Sequence, residues 1–199
     1  MSKSDPSANK KERYKAIRWV VSILIITILI SAAITFISDE IMDISPMWVA
    51  FLILFAIVFL GIIFDIIGVA TTSADEKPFH SMAARKVPGS LEAIRLLRNA
   101  ERVSSICNDV VGDICGVVSG SASATIAAQV LIGMEGAPGM DDVIPLVMSA
   151  VVAGLTVGGK AIGKTFAINS CTKIVASVGR ILSFIHHIPD LFRRKIIDS

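Results

Sequence analysis

Four stretches of this chain are too long and too apolar to be hidden by a water-soluble fold. Trp19 to Ile37 carries no charge and is rich in Ile and Val, close to the ~20 residues that cross a ~30 Å hydrocarbon core. Met47 to Phe64 forms a second run, which continues past Asp65 through Ala70. A third lies between Asp113 and Glu135, and a fourth extends from Val143 to Gly159, just before Lys160. The chain has 199 residues, of which 53% are apolar and 18% charged, against roughly 25% charged in soluble domains. A domain of this size still exposes much of its surface, so the expected class is an all-α integral membrane protein with four transmembrane helices. The first run is longer than the ~7–15 apolar residues of a signal peptide, which favours a retained anchor despite the basic residues before it.

The charges order these spans. Six basic residues precede the first span (Lys3, Lys10, Lys11, Arg13, Lys15, Arg18), and six lie between 71 and 102 (Lys77, Arg85, Lys86, Arg95, Arg98, Arg102). Seven follow from Lys160 onward (Lys160, Lys164, Lys173, Arg180, Arg193, Arg194, Lys195), which accounts for all 19 in the chain. The other two loops hold only acids: Asp39, Glu40 and Asp43 in one, Glu135, Asp141 and Asp142 in the other. Short cytoplasmic loops collect Lys and Arg, so both termini are expected in the cytoplasm of a multi-pass protein of the plasma (inner) membrane. The expected divisions are a basic tail at 1–18, the N-terminal span and its loop at 19–46, a transmembrane core at 47–164 and an amphipathic C-terminal helix at 165–199.

Within the core, residues 76–102 are too polar to cross and too patterned for a free loop. Phe79, Met82, Ala83 and Val87 approach helical spacing, Pro88 and Gly89 interrupt it, and Leu91, Ile94, Leu96 and Leu97 resume it. This reads as two amphipathic helices at the membrane interface, with Ser90 as N-cap of the second; the alternative is a solvated helical loop. After Lys164, Ile168, Ile174, Val175, Val178, Ile181, Leu182, Ile185 and Ile188 describe a further amphipathic helix. His186 and His187 are adjacent, so they point ~100° apart and do not share a metal easily. The cysteines, Cys107, Cys115 and Cys171, all fall in apolar stretches, as small buried side chains do.

Ionisable groups inside spans mark candidate sites. Asp65, Asp109, Asp113 and Lys160 qualify, and Asp109 and Asp113 are four apart, so they share one helix face. With Asn108 and the Thr71–Thr72–Ser73 stretch, which is expected to break the second span, they offer hydroxyl, carbonyl and carboxylate oxygens. Such donors suit a hard cation such as Mg2+. The alternative is that these residues only end the spans, with Lys160 reaching back to the interface. Gly112, Gly116 and Gly120 form two overlapping GxxxG steps, and Gly154 and Gly158 a third, which are surfaces for tight helix packing or a homodimer. No nucleophile–base pair, HExxH or phosphate loop occurs, so an enzyme is not expected, nor is a nucleic-acid partner.

From Val58 to about His187 the chain resembles the transmembrane domain of the cyclin M and CorB/CorC family of magnesium transporters. The resemblance is carried by "TTSADE" (Thr71 to Glu76), the amphipathic pair ending "LLRNAERVSS" (Leu96 to Ser105), "CNDVVGD" (Cys107 to Asp113) and "VGGKAIGK" (Val157 to Lys164). It implies a homodimer and a Mg2+ site whose Ser, two Asn and Glu correspond by position to Ser73, Asp109, Asp113 and Lys160. Here both amides are carboxylates and the acid is a lysine. The family's nucleotide-binding CBS pair is absent and an N-terminal span is added. The expected function is therefore divalent-cation transport, with a metal set of Ser73, Asn108, Asp109 and Asp113 and with Asp65 and Lys160 as an ion pair or coupling groups. The alternative is a non-transporting membrane interaction protein in which Asp and Lys form a structural pair.

Overall fold

Hydropathy and length make helices here, and proline and glycine end them. The computed structural model describes residues 6–133 and 139–197, and among these it contains no strand. Pro6–Ile44 forms α1 and Met47–Ser73 forms α2, joined through Pro46, whose extended backbone ends one helix and caps the next. Two short helices follow, α3 (Lys77–Ala84) and α4 (Ser90–Arg98), and then α5 (Ala100–Ser105). The last continues through a π-helical turn, Ile106–Val111, into α6 (Gly112–Gly133). α7 spans Val143–Asn169 and α8 spans Cys171–Ile197. Among the described residues four helical stretches are long and apolar enough to cross a membrane: Ile17–Met42, Met47–Ser73, Ala100–Gly133 and Val143–Asn169. The chain is a multi-pass α-helical membrane protein.

The third of these spans begins thirteen residues before Asp113, at Ala100. That places Asn108, Asp109 and Asp113 inside it rather than at its edge. The expected break at Thr71–Ser73 also moves. Thr71 and Thr72 return their hydroxyls to the carbonyls of Ile67 and Val69, so α2 runs through Ser73 and stops at the extended Ala74. Glu135, assigned to an acidic loop, lies outside the described residues.

α2 is the central strut, packed against α6 and α7 along its length and against α8 near its end. One apolar cluster joins Met42, Ala50, Leu54, Ala122, Ile126 and Val152 at the end of the bundle that carries the acidic loops. A second, built on Ala70, Phe79, Ala93, Ile94, Ala167 and Val175, lies at the basic end. Part of the apolar face of α3 and α4 is thus covered by protein: Phe79 is fully buried and Ile94 nearly so, while Leu91 stays 61% exposed. The amphipathic helices expected at the interface therefore also pack on the bundle. Ser90 does not cap α4 either. Gly89 holds the cap position with φ +83°, and Ser90 Oγ donates to the carbonyl of Val87 at 2.7 Å.

Gly89 carries a second constraint, because a Cβ there would strike the backbone of Gly179 and Arg180 where α4 crosses α8. Gly89→Ala is therefore expected to cost at least about 2 kcal/mol, from the left-handed backbone alone plus the displaced crossing. Thermal denaturation in detergent would read this as a drop of several degrees.

Candidate functional site

The site is built where α2 meets the π turn. Gly61, Asp65 and Gly68 follow one another at i, i+4 and i+7, so they share one face of α2. At one end of this stripe, a Cβ on Gly61 would approach Cys115 Cβ to 2.9 Å; at the other, a Cβ on Gly68 would overlap the carboxamide of Asn108. The stripe therefore faces the third span, running antiparallel to it. Asp65 lies between the two contacts, level with Val111 and Gly112.

The π turn determines what Asp65 meets. Gly112 N–H donates to the carbonyl of Cys107, five residues back, which accommodates one extra residue in the turn and leaves the Asn108 side chain in the notch at Gly68. Turns of this kind recur at functional sites because they re-aim side chains without breaking the helix. Asn108 donates from Nδ2 to Ser104 Oγ at 3.2 Å, whereas its Oδ1 is buried without a hydrogen-bond partner. Asp65 is 5% exposed, and its Oδ2 is likewise buried and unpartnered. Two oxygens without donors thus lie on the same seam.

Lys160 approaches this level from α7. Its Nζ lies 3.4 Å from where a Cβ on Gly112 would be, which sets the ammonium against that turn of the third span. Gly159 and Gly163 pack beneath Ile62 and Ile66 of α2, which brings Lys160 within about one turn of Asp65 along the bundle. No ion pair joins Lys160 to Asp65, Asp109 or Asp113. Among the described residues the ion pairs are His80–Glu76, Arg95–Glu92 and Arg98–Glu76, all in the helices at the basic end.

The other expected ligands do not join Asn108. Ser73 is exposed at the end of α2, and Asp109 and Asp113 are also exposed. Asp109 Oδ2 accepts from Ser105 Oγ at 2.8 Å, in a crevice shared with Trp19 and Thr27 of α1. Further along the same seam, Ser121 Oγ is 3.3 Å from Asp39 Oδ2. Asp113 lies between these points in the chain. Among the described residues no three His, Cys, Asp or Glu side chains converge on one point, and Cys107, Cys115 and Cys171 are free. Comparison with protein-family models, with curated proteins and with solved structures finds no match to this chain.

The glycines divide in a way spacing alone did not reveal. Gly61, Gly68, Gly159 and Gly163 are close-contact positions, and at Gly112 a Cβ would make only ordinary contacts. At Gly116, Gly120, Gly154 and Gly158 an added Cβ would meet nothing within 4 Å, so within the chain these four are not packing residues. The sequence reading also missed the importance of Gly68. The signal was available in the Gly61–Asp65–Gly68 stripe.

Proposed function

We propose that this chain transports a divalent cation, Mg2+ by the hardness of its donors, through a site formed by Asp65 and Asn108. The observation that carries this is the buried Asp65 carboxylate with an unpartnered oxygen, on the same seam as the equally unpartnered Oδ1 of Asn108. A carboxylate in that position must be protonated, paired or bound to a cation, since an isolated charge away from water is too costly. Carboxylate and amide oxygens are Mg2+ donors, and Mg2+ keeps several of its waters when bound this way. In this reading Asp65 takes the ligand role that spacing assigned to Asp109 and Asp113, and Asn108 keeps its own. The protein lies in the plasma membrane with both termini cytoplasmic, by the one-sided distribution of Lys and Arg. It is a homodimer through the open, exposed Gly154 and Gly158 of α7, whose spacing suits close helix contact.

Mg2+ uptake into proteoliposomes tests the site. Asp65→Asn is expected to lower the rate by at least about tenfold, the equivalent of ~1.4 kcal/mol of lost cation binding, while the protein remains folded. Unchanged uptake in this variant rules the site out. The second reading, a non-transporting protein with an Asp65–Lys160 pair, is favoured by the Lys160 Nζ lying over Gly112 at the level of Asp65.

A further inference from the structure

From the level of Asp65 toward the acidic end, α6 and α7 diverge around a cavity of about 230 Å3. The two helices are antiparallel neighbours, and counting from the Gly112–Lys160 contact sets Gly116 opposite Thr156 one turn on. Ser123 comes opposite Ser149 two turns further. All four line the cavity, together with Ser119 and Gly120, and no charged residue does. Its lining starts at Thr156, one turn from Lys160, and reaches Ser149 toward the start of α7; Gly116, Gly120 and Ser149 are exposed along its rim.

Three observations indicate that this space takes up water and small ions. A Cβ on Gly116 or Gly120 would meet nothing within 4 Å, so these glycines make room without letting α7 close in. Ser119 and Thr156 spend their hydroxyl protons on carbonyls of their own helices, Gly116 at 2.9 Å and Val152 at 2.8 Å, which leaves their oxygen lone pairs as acceptors. Ser123 is completely buried, and its Oγ has no hydrogen-bond partner. A buried hydroxyl beside a cavity that is roomy and lined with several polar groups is the setting in which water is retained. Hydroxyl oxygens are also donors to hard cations.

We infer that this ladder of hydroxyls is the access path by which a hydrated divalent cation reaches the Asp65–Asn108 level from the acidic end of the bundle. The inference rests on the transport reading above. It adds a route distinct from the α1–α6 seam, where the exposed carboxylates lie.

The experiment uses the full chain with Cys107, Cys115 and Cys171 replaced by alanine and single cysteines at Ser149, Thr156 or the lipid-facing Leu155. The proteins are reconstituted in phosphatidylcholine–phosphatidylglycerol vesicles and treated with a membrane-impermeant cationic methanethiosulfonate. Thiolate is the reacting form and is suppressed in hydrocarbon, so Ser149→Cys and Thr156→Cys should react at least about tenfold faster than Leu155→Cys. Mg2+ should slow the reaction at Thr156→Cys. Equal, slow reaction at all three positions overturns the path. Spontaneous disulfide dimers of Ser149→Cys or Thr156→Cys overturn it too, because they would mean that a helix of a second copy fills the groove.

Gly116→Leu provides an arm with the native cysteines in place. Its side chain enters open space, so thermal stability should hold while Mg2+ uptake falls at least about fivefold through loss of the room for a hydrated ion; full uptake overturns the path. The two readings fail differently. If labelling is fast but Asp65→Asn leaves uptake unchanged, the path stands and the Asp65 site does not. If uptake needs Asp65 but labelling is slow, the site stands and the path does not.

Discussion

Replacing Gly68 by valine is expected to destabilise the folded protein by about 1–3 kcal/mol. A Cβ at this position overlaps the Asn108 carboxamide, which is held by Ser104 on one side and by the π turn beneath it. Overpacking a core site costs about 1–3 kcal/mol, and the carboxamide, as the end of a side chain, can yield by turning away from its bond to Ser104. The measurement is the monodisperse fraction by size-exclusion chromatography in detergent, with the melting temperature of whatever remains. Gly68→Ala should be milder, and adding Asn108→Ala should return part of the loss, because the two changes share one contact and are not additive. A Gly68→Val protein as stable as the parent would mean that the notch does not exist.

Lys160→Met is expected to strengthen cation binding. Neighbouring helix axes lie ~8–10 Å apart. At an effective dielectric of ~20, a unit charge ~9 Å away opposes a second one by ~2 kcal/mol, and a divalent ion feels twice that. Removing the ammonium beside Gly112 should therefore tighten Mg2+ binding by at least about tenfold, read by Mg2+-dependent thermal stabilisation across a concentration series. The same variant separates the two functional readings. If Lys160 instead compensates Asp65 as a structural partner, its loss leaves a buried charge alone, and stability falls by about 3–5 kcal/mol without added metal. In that case Asp65→Asn made together with Lys160→Met should restore most of the loss.

The spans could be read from the chain because hydrocarbon imposes one rule on every residue in it, and long uncharged runs such as Trp19–Ile37 satisfy no other environment. The helix pair at 76–102 was also recognisable from Phe79, Pro88 and Ile94, but what covers its apolar face was not. Phe79 meets a protein surface assembled from α2, α7 and α8, and periodicity cannot tell that surface from lipid. The site was legible only in outline. Asp65 and Asn108 stood out as polar groups within spans, yet spacing favoured Asp109 and Asp113, which share a face of a regular helix. What separates them in burial is the π turn, for which the segment Ile106–Val111 carries no proline, glycine or other local marker. The glycines were ambiguous for a related reason. GxxxG spacing identifies a face that could pack closely, whereas Gly61 and Gly68 matter because of side chains forty or more residues away.

The π turn also makes the third span sensitive to its length in a way the other spans are not. It absorbs a single residue, and the helix on either side stays regular. Losing any one residue between 106 and 111 would restore an uninterrupted α-helix of good hydropathy that still crosses the bilayer. Because the turn absorbs that residue, the helix after it would keep its facing, and only the side chains inside the turn would be re-aimed. A chain one residue shorter would therefore insert normally and keep the Lys160 contact at Gly112, yet lose the placement of Asn108 in the notch at Gly68.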